Sequence, residues 1–342
     1  MPRLSTATMK DVAAKAGVSL ATVSRAMSST TDVSDDLTRR IQNAAEELNY
    51  TVNFNARSLR SKSSGIIVVL IADISNSFFP VLLQGIEDQA RAMGKAILIG
   101  DTAGDRELAA TYARLLDGQR ADGMILLNGN FPYGDIKTPR LTGRRYPIVA
   151  ISERIAGADI PTVSIDNVAA CADMVGYLAQ IGHRRIAHLM GPQDNILSHE
   201  RLEGYRKGVL MHGCETWPGS VVPSGFSIRS GRMAMAQLLD NRVRPTAVFA
   251  SNDESAIGAI IESKSRGLKI PGDISIVGFD DIDFAQSYDP SLTTIYQPRR
   301  EMGRKAMQML GNLLADPNRP QADAVLDYKL VVRASSAPPL TI

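Results

Sequence analysis

The sequence predicts a small all-α head followed by an α/β core of two doubly wound parallel-sheet lobes. Up to about residue 50, the apolar side chains recur at helical spacing. From Gly65 onward, short apolar runs alternate with helical segments, which is typical of parallel sheets covered by helices on both faces. The alternation runs through two successive series, and a length of 342 residues allows two or three domains. We therefore expect one head and two core lobes.

The head begins with two short helices around a tight turn, over residues 8–27. Thr8 and Asp11 have the three-residue spacing of a capping box at the first helix. Gly17 can take the positive φ that a chain reversal needs, and Ser19 is placed to cap the second helix. Apolar side chains fall on the facing sides of both helices: Val12, Ala13, Ala16, Val23, Ala26 and Met27. The pattern predicts a helix-turn-helix.

The second helix has an outward face of small and hydroxyl side chains with one arginine. Its members are Leu20, Ala21, Thr22, Ser24 and Arg25. A face of this kind at an exposed helix N-terminus suits entry into the major groove of DNA. A packed helical hairpin without a DNA-binding role is the alternative, because such spacings also occur by chance.

A third helix is predicted to close the head. Ser34 is placed to cap it, and Asp35 and Asp36 occupy its first turn, where the helix dipole favours negative charge. Apolar residues then repeat at helical spacing: Leu37, Ile41, Ala44, Ala45 and Leu48. Residues 1–65 carry nine basic and six acidic side chains, so this part has a net charge of +3 against −1 for the remainder. A polyanionic partner fits this excess, although a solvated basic surface would show it too.

Residues 52–64 form a polar and basic stretch between the head and the core. Leu59 is its main aliphatic side chain, and no periodicity would bury it. The plain interpretation is a linker. The alternative is a segment that folds on DNA, with the aliphatic side chain prying open a base step in the minor groove.

The core reads as two βα series. The first series has predicted strands over 65–73, 96–100, 123–127 and 148–151, with helices over 79–93 and 106–116. The second series has predicted strands over 163–165, 185–189, 247–250 and 274–277, with helices over 169–180, 200–211, 230–239 and 254–265. Ligands of open α/β sheets bind at the carboxyl ends of the strands, so we expect a cleft where the two series end.

Polar residues follow these strands, and three phenylalanines lie near them. The polar residues are Asp73, Ser75, Asp101, Asn128, Ser152, Glu153, Asp166, Ser251, Asn252, Asp253 and Asp280, and the aromatic ones are Phe78, Phe79 and Phe226. Oxygen ligands hold hydroxyl groups and apolar faces hold a ring plane, so the set suits a polyhydroxylated ring. The alternative for each Asp or Asn is that it only caps the helix that follows.

Motifs for catalysis and metal binding are missing from the sequence. The first βα turn, IADISNSFF, has no glycine-rich phosphate loop, and neither GxxxxGK[ST] nor GxSxG occurs. The four histidines, with Cys171 and Cys214, show no metal-ligand spacing. We expect no cofactor and no metal ion. A solute-binding module or an enzyme on the same α/β core remains the alternative function.

The sequence also lacks the marks of secretion and membrane insertion. The first residues, MPRLSTATMKD, contain no apolar signal core, and the longest strongly apolar run, residues 66–72, is too short to span a bilayer. Two cysteines give no disulfide framework. We expect a cytoplasmic protein without a membrane partner.

Motifs along nearly the whole chain resemble the LacI/GalR family of bacterial repressors. They are MKDVAAKAGVSLATVSRAM, AAEELNY, NARSL, DISNSFF, GHRRIAHLMGP, RLEGY, RPTAVFASND, GLKIPGDISIVGFDD and LTTIYQP, in the family's order. The resemblance implies a helix-turn-helix head, a hinge helix and a periplasmic-binding-protein-like core. It also implies a homodimer, with higher assembly left open, that binds double-stranded palindromic operator DNA under the control of a small-molecule effector.

The resemblance also implies domain boundaries. The head covers residues 1–51, the hinge 52–64 and the core 65–342. Within the core, the first lobe combines residues 65–162 with 293–323, and the second lobe combines 163–292 with 324–342. The chain therefore crosses between lobes more than once.

On the DNA-binding side, the resemblance assigns roles to eight residues. Leu20, Ala21 and Arg25 occupy base-reading positions, and Thr22 and Ser24 occupy phosphate-contacting positions. Asn53, Ala56 and Leu59 match the hinge, with Leu59 inserting at the operator centre. The usual hinge proline is replaced by Val52, which makes the start of the hinge less rigid.

In the core, the resemblance assigns effector contacts to Phe78, Glu153, Asn195, Arg201, Phe226, Asn252, Asp253 and Asp280. Where the family commonly has Asp, this chain has Ser152 followed by Glu153, so one acidic contact is missing or displaced by one residue. Segments such as ISERIAGADIPTVSIDN resemble a nucleoside-responsive branch more than the lactose-responsive or purine-responsive members. The sequence therefore leaves a sugar or a nucleoside as the effector.

Overall fold

The computed structural model describes residues 7–27, 33–50, 63–129, 131–133, 140–141, 144–155 and 157–340. The chain divides into two compact units, Met1–Ser64 and Gly65–Ile342. The predicted hinge residues Val52, Asn53, Ala56 and Leu59 lie outside the described residues.

The described elements follow one another in this order. The helices are α1 (Met9–Ala16), α2 (Leu20–Ala26), α3 (Asp35–Glu47), α4 (Phe79–Ala92), α5 (Arg106–Asp117), α6 (Asn167–Gln180), α7 (Ile196–Met211), α8 (Ile228–Leu239), α9 (Asp253–Ser265), α10 (Asp283–Ser287) and α11 (Arg299–Ala315). The strands are β1 (Ile66–Ile71), β2 (Ala96–Asp101), β3 (Gly123–Leu127), β4 (Arg140–Leu141), β5 (Arg144–Arg145), β6 (Ile148–Ile151), β7 (Thr162–Ile165), β8 (Ile186–Met190), β9 (Val221–Pro223), β10 (Ala247–Ala250), β11 (Ser275–Val277), β12 (Thr294–Tyr296), β13 (Ala324–Leu326) and β14 (Lys329–Val331).

The first unit packs α1, α2 and α3 around a small apolar core, as the sequence predicts. Its buried side chains are Val12, Ala13, Ala16, Val23, Ile41, Ala44 and Ala45. The Thr8 hydroxyl accepts the N–H of Asp11, and the Asp11 carboxylate accepts the N–H of Thr8 at 2.7 Å, which completes the capping box. Gly17 has a φ of 65°. The start of α1 and the turn that follows it are therefore set by local residues.

The cap expected at the third helix is wrong in one respect. Ser34 occupies the N-cap position of α3, but its side chain makes no capping hydrogen bond. Asp35 and Asp36 lie in the first turn as predicted. The helix N-terminus is therefore stabilised by these charges and by the packing of Ile41.

A six-stranded parallel sheet forms the first lobe of the second unit, in the order β13-β7-β6-β3-β1-β2. Successive side chains of β1 point to opposite faces. Ile67 and Val69 pack with α4 and α11, whereas Val68 and Leu70 pack with α5. This two-sided burial explains the unbroken apolar run of β1.

A four-stranded parallel sheet forms the second lobe, in the order β11-β10-β8-β9. Helices α8 and α9 cover one face through Met235, Leu238 and Ile260. Helices α6 and α7 supply Met174 and Tyr205 to the other apolar cluster. Both lobes are thus doubly wound.

Two strands lie in a different lobe from the one expected. Residues 163–165 were predicted to open the second series and residues 324–342 to belong to it, but β7 pairs with β6 and β13 pairs with β7 in the first sheet. The chain crosses between lobes after β7. An apolar run shows that a strand is buried but not which sheet its backbone joins, so these boundaries could not be read from pattern alone.

Other differences concern elements that the alternation did not predict. These are β4, β5, β9, β12, β13, β14, α10 and the 17-residue α11. Helix α7 begins at Ile196, four residues before the predicted start, because Asn195 caps it. In the part of the chain that the structure describes, no helix is long and apolar enough to cross a membrane.

Candidate functional site

The outward face of α2 presents the residues predicted to meet DNA. Leu20, Ala21 and Arg25 are exposed, whereas Thr22 and Ser24 are half-buried. The Ser19 hydroxyl accepts the N–H of Thr22 at 3.1 Å and caps the helix. The buried Val23 anchors the opposite face. The helix therefore holds a cationic side chain and an exposed aliphatic one on a capped, rigid element.

A cleft-shaped cavity lies at the carboxyl ends of the strands of both lobes, and its empty space of about 430 Å³ includes a part that is open to solvent. Its described walls are Asn76, Phe78, Phe79, Leu127, Ile151, Ser152, Glu153, Leu197, Arg201, Phe226, Asn252 and Asp280. Six of the eight predicted effector contacts are among them.

Arg201 lines the cavity and is almost fully buried. Its Nε donates to Asn167 Oδ1 at 3.2 Å, and one terminal nitrogen donates to the carbonyl of Ser251. Its guanidinium carbon lies 3.9 Å from the centre of the Phe279 ring and 5.9 Å from that of Phe226. The guanidinium is therefore held in one orientation by hydrogen bonds and cation–π contacts.

Asp280 supplies a buried carboxylate beside Arg201. Its Oδ1 lies 3.5 Å from an Arg201 nitrogen and accepts a hydrogen bond from Gln297 Nε2 at 2.7 Å. Burial raises the pKa of Asp280 to about 6, while Arg201 and Arg299 oppose the shift. The residue has a φ of 112°, a conformation that a non-glycine residue adopts only where its surroundings enforce it.

Glu153 brings a second carboxyl group to the cavity. Ser152 has a φ of 64°, and this turn at the end of β6 directs the next residue toward the cavity. Glu153 Oε1 accepts a hydrogen bond from Asn195 Nδ2 at 3.1 Å. Burial raises the pKa of Glu153 to about 7, although the Asn195 amide and Arg201 favour its charged form.

Aromatic side chains from both lobes complete the walls. Phe78 meets Phe79 edge-on, with ring centres 5.6 Å apart. The carbonyl of Phe226 accepts a hydrogen bond from Asn252 Nδ2 at 3.0 Å, while Asn252 Oδ1 caps α9 by accepting the N–H of Ser255. Asn252 therefore has both the capping role and a place in the cavity wall.

Two of the predicted effector residues do not line the cavity. Asp253 is fully buried, and its two carboxylate oxygens accept hydrogen bonds from Ile282 N–H and Thr294 Oγ1. Burial, together with the nearby Asp280 carboxylate, raises the pKa of Asp253 well above its usual value. Asn195 caps α7 and reaches the cavity only through Glu153.

Several of the other polar residues at the strand ends only shape their own loops. Asp73 accepts hydrogen bonds from the N–H and hydroxyl of Ser75, and Asp101 accepts from the N–H groups of Ile74 and Ala103. Asp166 caps α6. Asp166 therefore caps the helix that follows it, as the alternative predicts, whereas Asp73 and Asp101 bind loop N–H groups and cap no helix.

Sequence reasoning missed residues that shape the site without carrying a functional motif. Arg299 donates to the carbonyls of Ser77, Phe78 and Asp281, and so joins the two lobes beside the cavity. A methyl group on Gly129 would lie 1.8 Å from Glu153 Oε2. In the sequence, only their positions could have pointed to the site, because Gly129 follows the end of β3 and Arg299 is the first residue of α11. Among the residues described, no cluster of His, Cys, Asp or Glu could hold a metal ion.

The comparisons with known proteins decide the family. Residues 8–53 match the description "Bacterial regulatory proteins, lacI family", and residues 175–336 match a periplasmic binding protein-like domain. The HTH-type transcriptional repressor CytR of Escherichia coli strain K12 is 39% identical over 96% of this chain and 96% of its own. The ribose operon repressor of the same strain is 35% identical, over 96% of this chain and all of its own.

The chain belongs to the LacI family.

Solved structures of LacI-family proteins share the fold. The lac repressor dimer bound to operator and the anti-inducer ONPF is 26% identical, covers 97% of this chain and 99% of its own, and has a TM-score of 0.83. A LacI-family regulator from Enterococcus faecium with bound ribose is 27% identical over 80% of this chain and 99% of its own, with a TM-score of 0.67. This LacI-family protein is therefore a DNA-binding transcriptional repressor with an effector-binding domain, and an enzymatic function is not favoured.

Proposed function

We propose that this repressor binds a pseudo-palindromic operator as a homodimer through the outward face of α2. Leu20 and Ala21 cannot hydrogen-bond to bases, so direct readout rests on Arg25 and on apolar contacts with thymine methyl groups. Thr22 and Ser24 contact phosphates. Asn53, Ala56 and Leu59 form the hinge contacts, with Leu59 in the minor groove at the operator centre, where DNA deformability adds specificity. Such a regulator acts in the cytoplasm, where its operator lies.

Arg25→Ala should weaken operator binding by about 1–3 kcal/mol and relax sequence preference, because it removes the side chain best suited to reading guanine. Footprinting on the promoter beside the gene itself identifies the protected site, and fluorescence anisotropy measures the affinity of each variant. Arg39→Ala is a matched control, since Arg39 is also exposed but lies on α3.

Leu59→Ala tests the hinge contact by the same measurement. If Arg25→Ala and Leu59→Ala both bind the operator as tightly as the unmodified protein, the proposed binding mode is wrong. If Arg39→Ala loses as much preference as Arg25→Ala, the assignment of readout to α2 is wrong.

We propose that the effector is a polyhydroxylated molecule, a nucleoside or a sugar, bound in the cavity between the core lobes. The observation that carries the proposal is the combination of buried oxygen ligands with the phenylalanine rings of Phe78 and Phe226. In addition, Ser152 Oγ is buried in the cavity wall and has no hydrogen-bond partner among the described residues. A ligand hydroxyl would satisfy it. A planar nucleobase would pack against the rings of Phe78 and Phe226, which a ribose alone would leave uncovered.

The relatives support a ribose-containing ligand. One similar repressor is named for the ribose operon, and one similar structure contains ribose. A thermal-shift screen of sugars and nucleosides tests the proposal, because a ligand that binds only the folded state raises the unfolding temperature. Each stabilising compound is then tested for a change in operator affinity. Stabilisation by no sugar and no nucleoside would contradict the proposed effector class.

A further inference from the structure

Three helices that contribute to the cavity wall, α4, α7 and α9, each have an asparagine side-chain oxygen at the N-terminus. A helix N-terminus normally attracts phosphate through its unpaired N–H groups. Here Asn195 Oδ1 accepts the N–H groups of Leu197 and Ser198 at the start of α7. Asn252 Oδ1 occupies the same position at the start of α9, where it accepts the N–H of Ser255.

At the N-terminus of α4, the N–H groups are hydrogen-bonded to Asn76 or absent. Asn76 Oδ1 accepts the N–H of Phe78 at 2.8 Å, and the Asn76 carbonyl accepts the N–H of Phe79 at 3.2 Å. The next residue, Pro80, has no N–H group. An asparagine side-chain oxygen therefore occupies the position of an incoming phosphate at each of these three termini.

The charges of the cavity wall also disfavour an anion. Arg201 is the only basic residue among its described lining residues, and its guanidinium is already engaged by Asp280, Asn167 and the carbonyl of Ser251. Two carboxyl groups, on Glu153 and Asp280, face the same space. When both are ionised, the described wall carries one more negative charge than positive.

We infer that the cavity accepts only the uncharged form of its ligand and rejects the phosphate ester of the same compound. This inference rests on the proposed effector class and narrows it. The discrimination comes from like charges and from occupied donors, because a desolvated phosphate without partners is strongly unfavourable. The signal is therefore the free nucleoside or sugar, and a kinase that phosphorylates this compound removes the signal.

The test compares matched pairs on the full-length protein. Ribose, cytidine, uridine, adenosine and the 5-phosphate or 5′-monophosphate of each are titrated by isothermal calorimetry at pH 8, where Glu153 and Asp280 are both ionised. At least one neutral compound should bind saturably, and its phosphate should bind on the order of 100-fold more weakly. Glu153→Gln should reduce that ratio by roughly tenfold, because it removes one carboxylate from the wall. Glu203→Gln is the matched control, since Glu203 lies on the exposed side of α7 and should leave the ratio unchanged.

The outcomes separate the two hypotheses. A phosphate ester that binds within tenfold of its neutral partner, or more tightly, overturns the inference while leaving the proposed effector class intact. An unchanged ratio in Glu153→Gln contradicts the role of that carboxylate in rejecting anions. A panel in which neither form of any compound binds contradicts the proposed effector class, and this inference falls with it.

Discussion

At the scale of single residues, the cavity depends on groups held where their conformation or charge is unfavourable in isolation. Ser152 and Asp280 both line the cavity with positive φ angles. The carboxyl groups of Glu153 and Asp280 are buried enough for their pKa values to rise to about 7 and about 6. Such costs are maintained only when the surrounding fold enforces them, and they mark residues whose substitution is informative.

Gly129→Ala should displace Glu153 and weaken effector binding. A methyl group there would lie 1.8 Å from Glu153 Oε2, and the φ of 63° also disfavours alanine. Gly104→Ala is a matched control, because Gly104 has a φ of 76° but no atom within 4 Å of the added methyl group. Urea unfolding should show an extra loss of about 1–3 kcal/mol in Gly129→Ala. Equal losses in the two variants would contradict the steric role of Glu153.

Glu153 should make the unfolding free energy depend on pH between about 5 and 8. Its folded pKa of about 7 lies above the ordinary value of 4.5, so the native state binds the proton more tightly than the unfolded chain. Stability therefore falls as the pH rises through this window. The groups that act on this carboxyl are Asn195, Arg201, Glu200 and Asp194.

Glu153→Gln should consequently match the unmodified protein at pH 5 and exceed its stability at pH 8. Because water still reaches this half-buried carboxyl, we expect a gain of about 1–2 kcal/mol. Urea unfolding at the two pH values measures it, with Glu203→Gln as the exposed control. A gain that is equal at both pH values would show that titration of Glu153 is not its cause.

At the scale of elements, helices pair closely where glycines face the neighbouring backbone. Helices α4 and α11 cover one face of the first sheet, and they meet at Gly85 and Gly303. A methyl group on Gly303 would lie 2.3 Å from the carbonyl oxygen of Leu82. Since a backbone atom cannot move aside as a flexible side chain can, this contact determines how near α11 lies to α4. It also fixes the start of α11, from which Arg299 reaches the cleft.

Gly303→Ala should therefore destabilise the core by about 1–3 kcal/mol through overpacking. Gly118→Ala is the control, because Gly118 has a negative φ and its nearest neighbour would lie 3.4 Å from the methyl group. Thermal unfolding of the two variants measures the difference. If Gly303→Ala is as stable as Gly118→Ala, the helices can separate at little cost and the contact does not position α11.

At the scale of the whole effector-binding unit, both lobes meet at a few polar contacts around the cavity. Glu153 and Asn195 join them on one side, and the Glu254 carboxylate accepts the N–H of Ser77 at 2.9 Å on another. Arg299 crosses between the lobes with hydrogen bonds to backbone carbonyls on both. An effector that changes how the lobes close must change these contacts. Such a change is a physical means by which effector binding can alter the conformation of the effector-binding unit.

Arg299→Ala should lower both the unfolding temperature and the effector affinity. It leaves buried carbonyl groups without their donor, at a cost of about 1–3 kcal/mol. Arg304→Ala is the control on the same helix, because its ion pair with Asp88 is solvent-exposed and contributes little to stability. Differential scanning fluorimetry with and without effector measures both effects. An unchanged effector affinity in Arg299→Ala would show that this bridge is not linked to the cavity.

The sequence by itself determined the helical head, the caps of its first two helices, most of the buried strands and the family. These features depend on interactions over a few residues, such as the Thr8–Asp11 capping box, or on apolar periodicity that any burial produces. The polar residues at strand ends were also visible in the sequence. The sequence did not show which of them line the cavity. Asp253 and Asp280 both follow buried strands, but folding brings them next to different side chains.

Only the tertiary structure decided which sheet β7 and β13 join, how α11 packs and which side chains meet at the cavity. Strand pairing is made by backbone groups far apart in the chain, and their partners leave no trace in local composition. The contact of Gly129 with Glu153 and the bridge from Arg299 to Phe78 likewise depend on segments brought together by folding. Short-range interactions thus determine whether a segment forms a helix or a strand, and long-range packing determines which residues each side chain contacts.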